Sequence, residues 1–223
     1  MPSAPTLLLV GLGPGLSLAV CRRFAQAGHR IAFVVRTEAQ VADFEGQLAA
    51  HGIEATGVAA PASDPAGLQA GLETLVERWG VPEATLYNVS IFRGEHPPSR
   101  VVPEEFVEDL KLNVLGALVT TQTLLAHYRR QGTGTLLYTG GGSALYPQAA
   151  YASLSIGKVA LRNLVFAVAD EVRAEGIRVG MLRIDGAIKP GTAFDPEKIA
   201  EAYYQMYAGL TLTGEVETVF GGA

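Results

Sequence analysis

Short apolar runs and longer segments of helical period alternate from one end of the chain to the other. Runs rich in Val, Ile and Leu predict strands at Thr6–Val10, Arg30–Val35, Ala55–Ala59, Ala84–Val89, Gly134–Thr139, Ile177–Ile184 and Glu215–Phe220. Between them the apolar positions recur at helical spacing over Leu16–Ala27, Glu38–His51, Pro65–Trp79, Glu104–Arg129, Ala152–Glu175 and Pro196–Tyr207. Several boundaries have a local cause. Gly28 follows the first helix as its C′ residue, Thr37 with Gln40 fits a capping box, and Asp64-Pro65 fits an N-cap followed by proline at the first helical position. Strands apolar on both faces, each followed by a helix, predict a single α/β domain over residues 1–223. Its core is a doubly wound parallel sheet of about seven strands with helices on both faces.

Composition narrows the classes of partner. With 48% hydrophobic and 17% charged residues the chain is too apolar for disorder, and Gly, Pro and charge interrupt it too often to predict a membrane span. The formal charge of −5 offers no basic field for a phosphate backbone, so no nucleic-acid partner is expected. The single Cys21 excludes an internal disulfide, and His29, His51, His96 and His127 lack metal-ligand spacing, so no metal is expected. Met1 to Thr6 carries no Lys or Arg, and Leu7 to Val10 is too short for the apolar core of a signal peptide; a cytoplasmic location is expected.

In a parallel sheet of this kind ligands sit beyond the carboxyl ends of the strands. The loop after the first strand reads Gly11-Leu12-Gly13-Pro14-Gly15, followed by Leu16. Glycines there let the backbone turn sharply and approach a pyrophosphate, whose charge is favoured by the N–H groups opening the next helix. The second strand ends at Val35-Arg36-Thr37, beside the position of an adenosine ribose. An acidic residue would suit the 2′-hydroxyl of NAD, whereas Arg36 suits the 2′-phosphate of NADP.

At these residues the chain resembles the short-chain dehydrogenase/reductase family, and the resemblance spans nearly its whole length. The family's glycine-rich opening corresponds to Val10-Gly11-Leu12-Gly13-Pro14-Gly15-Leu16-Ser17, its adenine-contacting aspartate to Asp64, and its asparagine after the fourth strand to Asn88. Asn113, in Leu112-Asn113-Val114-Leu115-Gly116, matches the active-site asparagine, and Lys158-Val159-Ala160-Leu161-Arg162-Asn163-Leu164 matches the text from the active-site lysine onward. The tail Leu212 to Gly222 resembles the last strand. The resemblance implies a Rossmann-type fold, an NADP(H) cofactor, a small-molecule substrate and a homodimer or homotetramer.

The catalytic signature departs from the family. Its tyrosine stands four residues before the lysine, where this chain has Leu154, and its serine falls on Gly141. Leucine and glycine carry no proton to transfer. Tyr151 and Ser143 are the available substitutes, with Ser155 another polar group near Lys158. On a continuous helix Tyr151 would lie about 10.5 Å from Lys158 along the axis rather than about 6 Å, so it reaches the site only from a preceding loop. After the sixth strand the family's Pro-Gly loop appears as Ile184-Asp185-Gly186-Ala187-Ile188, with Asp185 in place of proline; Gly186 and Ile188 are the implied backbone contacts to nicotinamide. Residues 187–212 are expected to form a lid. The sequence thus points to an atypical NADP(H)-dependent oxidoreductase acting on a small carbonyl or alcohol, with Asn113, Ser143, Tyr151 and Lys158 as catalytic candidates. Leu154 and Gly141 leave open a catalytically silent dinucleotide sensor or interaction protein.

Overall fold

The computed structural model describes residues 4–221, so Gly222 of the tail motif lies outside the described residues. Seven strands alternate with seven helices: β1 (Thr6–Val10), α1 (Leu16–Gln26), β2 (Arg30–Val35), α2 (Glu38–Ala49), β3 (Ala55–Ala59), α3 (Pro65–Trp79), β4 (Ala84–Tyr87), α4 (Pro103–Leu110), α5 (Gly116–Gln131), β5 (Gly134–Gly141), α6 (Ala152–Glu171), β6 (Ile177–Ile184), α7 (Pro196–Gly209) and β7 (Glu217–Phe220). All strand pairs are parallel, in the order β3-β2-β1-β4-β5-β6-β7.

The two-residue period of β1 explains the layering. Leu7 and Leu9 pack with α1, α2 and α7 on one face, where Phe24, Phe44 and Tyr203 are buried. Leu8 and Val10 pack with α3, α5 and α6 on the other, among Leu72, Tyr128 and Val165. A strand buried on both faces has no polar side to show, which is why these runs are continuously apolar. The order reverses between β1 and β4, and their loops diverge there to leave a crevice at the carboxyl edge.

The structure differs from the sequence expectation in instructive places. The helix expected over Glu104–Arg129 is divided: α4 ends at Leu110, a π-helical turn occupies Lys111–Leu115, and α5 begins at Gly116. The Tyr87 hydroxyl donates to the carbonyl of Leu112 inside that turn, and the wider turn carries Asn113 inward. Asp64 stands at the N-cap position of α3 with Pro65 at the first turn, but its carboxylate makes no capping hydrogen bond. Thr37 does cap α2, accepting from the Gln40 N–H at 3.3 Å, while Gln40 Oε1 reaches back to the N–H of Arg36 at 3.2 Å. α6 is long and apolar enough to cross a membrane by length and composition, with a mean hydropathy of 1.4, contrary to the composition argument. In the fold it is a core helix, its Leu161, Val165 and Val168 packed on the sheet.

Of the segment 187–212 expected as a lid, residues 196–209 form α7, whose Ile199, Ala200, Tyr203, Met206 and Tyr207 belong to the core. Arg22 pairs with Glu197 and Arg23 with Glu201, and the Arg23 guanidinium lies 3.7 Å from the Tyr204 ring centroid, joining α7 to α1. The part exposed at the carboxyl edge is the turn 187–195.

Close packing at Gly134 gives a direct test of this layering. A Cβ there would run into the Tyr128 ring, which is fully buried and fixed by a 2.8 Å hydrogen bond to Thr85. Gly134→Ala is expected to destabilise the fold by about 1–3 kcal/mol, measured as a lower denaturant midpoint with unchanged slope; no loss of stability would contradict this packing.

Candidate functional site

The parallel sheet brings the carboxyl ends of all its strands to one edge, and the sequence candidates collect there. After β1 the chain turns at Gly11, whose φ of +90° favours glycine and whose Cβ would lie 2.7 Å from Val89 Cγ2. Among the described residues, Gly13 and Gly15 have no atom within 4 Å of where a Cβ would stand. The turn is therefore held tightly at its base and open along its outer side. Leu16 begins α1 and is buried. Arg36 is exposed just past β2, and its guanidinium has no hydrogen bond or ion pair among the described residues. Asp64 is exposed after β3 at the start of α3.

A line of hydrogen bonds crosses the crevice beneath this surface. The Tyr203 hydroxyl donates to Thr139 Oγ1 at 2.7 Å, Thr139 Oγ1 donates to Asn88 Oδ1, Asn88 Nδ2 donates to Ser17 Oγ at 2.7 Å, and Ser17 donates to the Gly11 carbonyl at 2.9 Å. It links α7, β5, the end of β4, α1 and the glycine turn. Every donor points the same way, so each bond polarises the next.

Thr139 has a second role. Its carbonyl accepts from Lys158 Nζ at 2.9 Å, and Lys158 is only 6% exposed on α6. Burial disfavours the ammonium and brings its pKa down to about 8. A Cβ at Gly141 would lie 3.8 Å from the Lys158 stem, so that position borders the lysine with no hydroxyl to offer. Asn113 reaches the same region from the π-helical turn. It is 1% exposed, its Oδ1 and Nδ2 have no partner among the described residues, and a Cβ at Gly157 would fall 2.9 Å from Asn113 Cβ. Gly157 is thus what lets α6 approach the turn. Ser155 Oγ is also buried without a partner among the described residues.

Tyr151 does lie before the helix, as the N-cap residue of α6. Its ring packs edge-on against Phe92 at 5.3 Å between centroids, and its backbone bridges to His96. Together with Leu154, Phe106, Val101 and Arg93 it lines a narrow cleft. The cleft is braced by Asp109, which is buried and accepts from Arg93 Nε at 2.6 Å and from Ser153 Oγ at 2.5 Å. Ser143 lies in the single 3-10 turn after β5, half-buried. Past β6, Gly186 carries the Phe194 ring directly against it, and Ile188 is exposed.

The fold thus brings Asn88, Asn113 and Lys158 to one part of the edge and sets Tyr151 in the wall of the adjoining cleft. Sequence reasoning missed Thr139, Ser17, Tyr203 and the Arg93–Asp109–Ser153 brace. Thr139 and Ser17 left a trace, being polar residues at buried positions of a strand and a helix; Tyr203 is one aromatic among several in its segment. Among the described residues no group of three or more His, Cys, Asp or Glu is placed to hold a metal. The histidines instead serve packing and surface contacts. His29 is buried edge-on against Phe24 with its pKa lowered by burial, and His127 bonds Glu73 at 2.7 Å.

The chain is similar to known proteins over most of its length. A model of the short chain dehydrogenase family matches residues 5–193. A Streptomyces violaceoruber protein assigned to the granaticin polyketide synthase as a putative ketoacyl reductase is 28% identical, over 100% of this chain and 97% of its own. A crystal structure of a metagenomic short-chain oxidoreductase in complex with NADP superposes with a TM-score of 0.85 at 18% identity, covering 97% of this chain and 96% of that one. A single-residue variant of actinorhodin polyketide ketoreductase with NADPH gives a TM-score of 0.88 at 17% identity, covering 97% and 95%.

Proposed function

The chain belongs to the short-chain dehydrogenase family, and from that premise we propose that it is an NADP(H)-dependent oxidoreductase of a small carbonyl or alcohol. The observation that carries the reading is the pairing of an open glycine turn with Arg36. Among the described residues the outer side of Gly13 and Gly15 is clear for a pyrophosphate, and Arg36 stands without a partner at the next strand end, where a 2′-phosphate would lie. Gly11, Leu16, Asp64 and Asn88 complete the adenosine side of the site; Lys158, Gly186 and Ile188 serve the nicotinamide side. When bound, the cofactor supplies or accepts the hydride. The NADP complex of a structural neighbour supports the choice of cofactor.

The protein's own chemistry is to orient the carbonyl and move one proton. Leu154 and Gly141 leave the usual positions without a hydroxyl, and Lys158 borders Gly141. We assign the proton to the Lys158 ammonium, with Asn113 and Ser155 as further buried polar groups in or against the same helix. Tyr151, Ser143 or a water is the alternative donor. Leu154 and Gly141 also favour a second reading, a silent dinucleotide-binding protein; NADPH binding without turnover across a broad carbonyl panel would establish it.

α6 bears on assembly. Ile156, Val159 and Phe166 are exposed along it, and burying such a row against a second copy would give a closed homodimer or homotetramer. Light scattering at micromolar concentration should return a multiple of the chain mass; a monomer would contradict this reading.

Cofactor choice is tested by titration calorimetry. NADP should bind more tightly than NAD, and Arg36→Asp should reverse the order; equal affinities unchanged by the substitution would overturn the assignment.

The proton donor is tested by pH. Lys158 holds its proton below about 8, and carbonyl reduction consumes that proton. Reduction should therefore fall as pH rises through this value, and alcohol oxidation should gain. Tyr151→Phe should leave the profile in place; a loss of about 10²–10⁴-fold in turnover would move the assignment to Tyr151.

A further inference from the structure

A chain of charges at the carboxyl end of β6 takes no part in the chemistry above. Arg183 donates from Nε and Nη2 to the two oxygens of Asp185 at 2.9 and 3.0 Å, and from Nη1 to Glu217 Oε2 at 2.7 Å. Glu217, on β7, accepts from Arg162 Nε of α6 at 2.9 Å through its other oxygen. The Arg183 and Glu217 side chains are 12% and 10% exposed, so these pairs are far less screened by water than a surface bridge. A planar guanidinium gripping one carboxylate with two parallel bonds fixes direction as well as distance.

Asp185 is the first residue beyond β6, at the position where the family has proline. Its N–H donates to the Phe220 carbonyl at 3.0 Å, extending the β6–β7 pairing past the strand; proline has no N–H to give. The carboxylate also has a place made for it. A Cβ on Gly142 would come within 2.9 Å of Asp185 Oδ1, so the glycine at the end of β5 leaves room for this side chain. The backbone then runs directly into Gly186, which Phe194 clamps from the other side.

We propose that Arg183 and Asp185, backed by Glu217 and Arg162, are positioning residues that aim the Gly186–Ile188 backbone at the carboxamide end of the nicotinamide cofactor. Paired charges do here what a proline ring does by covalent geometry. The inference rests on the cofactor reading given under Proposed function. Neither Asp185 nor Arg183 touches the adenosine side of the site, so their effect is confined to one half of the ligand.

Two ligands separate the halves: NADP, and adenosine 2′,5′-bisphosphate, which carries the adenosine and 2′-phosphate but no nicotinamide. Calorimetric titrations would compare the unaltered protein with Asp185→Asn, which keeps size but removes the charge, and Arg183→Lys, which keeps the charge but removes the fork. Each variant should bind NADP about tenfold more weakly and the bisphosphate within about twofold of the unaltered protein. Equal weakening of both ligands would show a merely structural role and overturn the proposal, as would unchanged NADP binding in both variants. If the unaltered protein binds neither ligand, the cofactor reading itself falls, an outcome distinct from the other two.

Discussion

The site depends on Thr139. This one residue, near the end of β5, gives its hydroxyl to a line of hydrogen bonds running from Tyr203 to the Gly11 carbonyl, and its carbonyl to the ammonium of Lys158. The first ties the glycine turn to α7, its neighbour in the same layer of helices; the second anchors a buried charge. A polar residue at this depth is unfavourable unless fully bonded, and here each group has found its partner. The crevice between β1 and β4 is therefore stitched across by side chains as well as framed by the divergence of its loops.

Most of the architecture was legible because the strands are buried on both faces. Leu7 to Val10 and Ile31 to Val35 carry no alternation to mislead, and the helices between them are bounded by residues with local reasons, such as Thr37 and Pro65. What the sequence did not reveal were features created by long-range approach. The π-helical turn at Lys111–Leu115 follows an apolar period indistinguishable from that of a plain helix, and its inward aim for Asn113 depends on Gly157, distant in sequence. α7 shows the same limit from the other direction. Its amphipathic pattern is equally suited to covering a ligand or to joining the core, and α1 decides the matter through Arg22, Arg23 and the rings packed around Phe24.

Gly141 and Asp185 stand at the carboxyl ends of the neighbouring strands β5 and β6, while Leu154 lies in the first turn of α6 and lines the cleft beside Tyr151. Just past β5, Gly142 leaves room for the Asp185 carboxylate, whereas a Cβ at Gly141 would make only ordinary contact with the Lys158 stem at 3.8 Å. The glycine just past β5 and the aspartate just past β6 are thus coupled through space: the chain leaving one strand is slender enough for the charged side chain leaving the next.

The three glycines of the first turn answer to different constraints. Gly11 is pinned by its positive φ and by Val89, so the polypeptide itself forbids a replacement there. Gly13 and Gly15 meet nothing within 4 Å. A lineage that drifted at either of these two would keep an intact, well-folded chain and change only what approaches it from outside, whereas drift at Gly11 would be removed by misfolding before binding was ever affected. One short motif therefore holds two kinds of heritable information, one about the fold and one about the ligand.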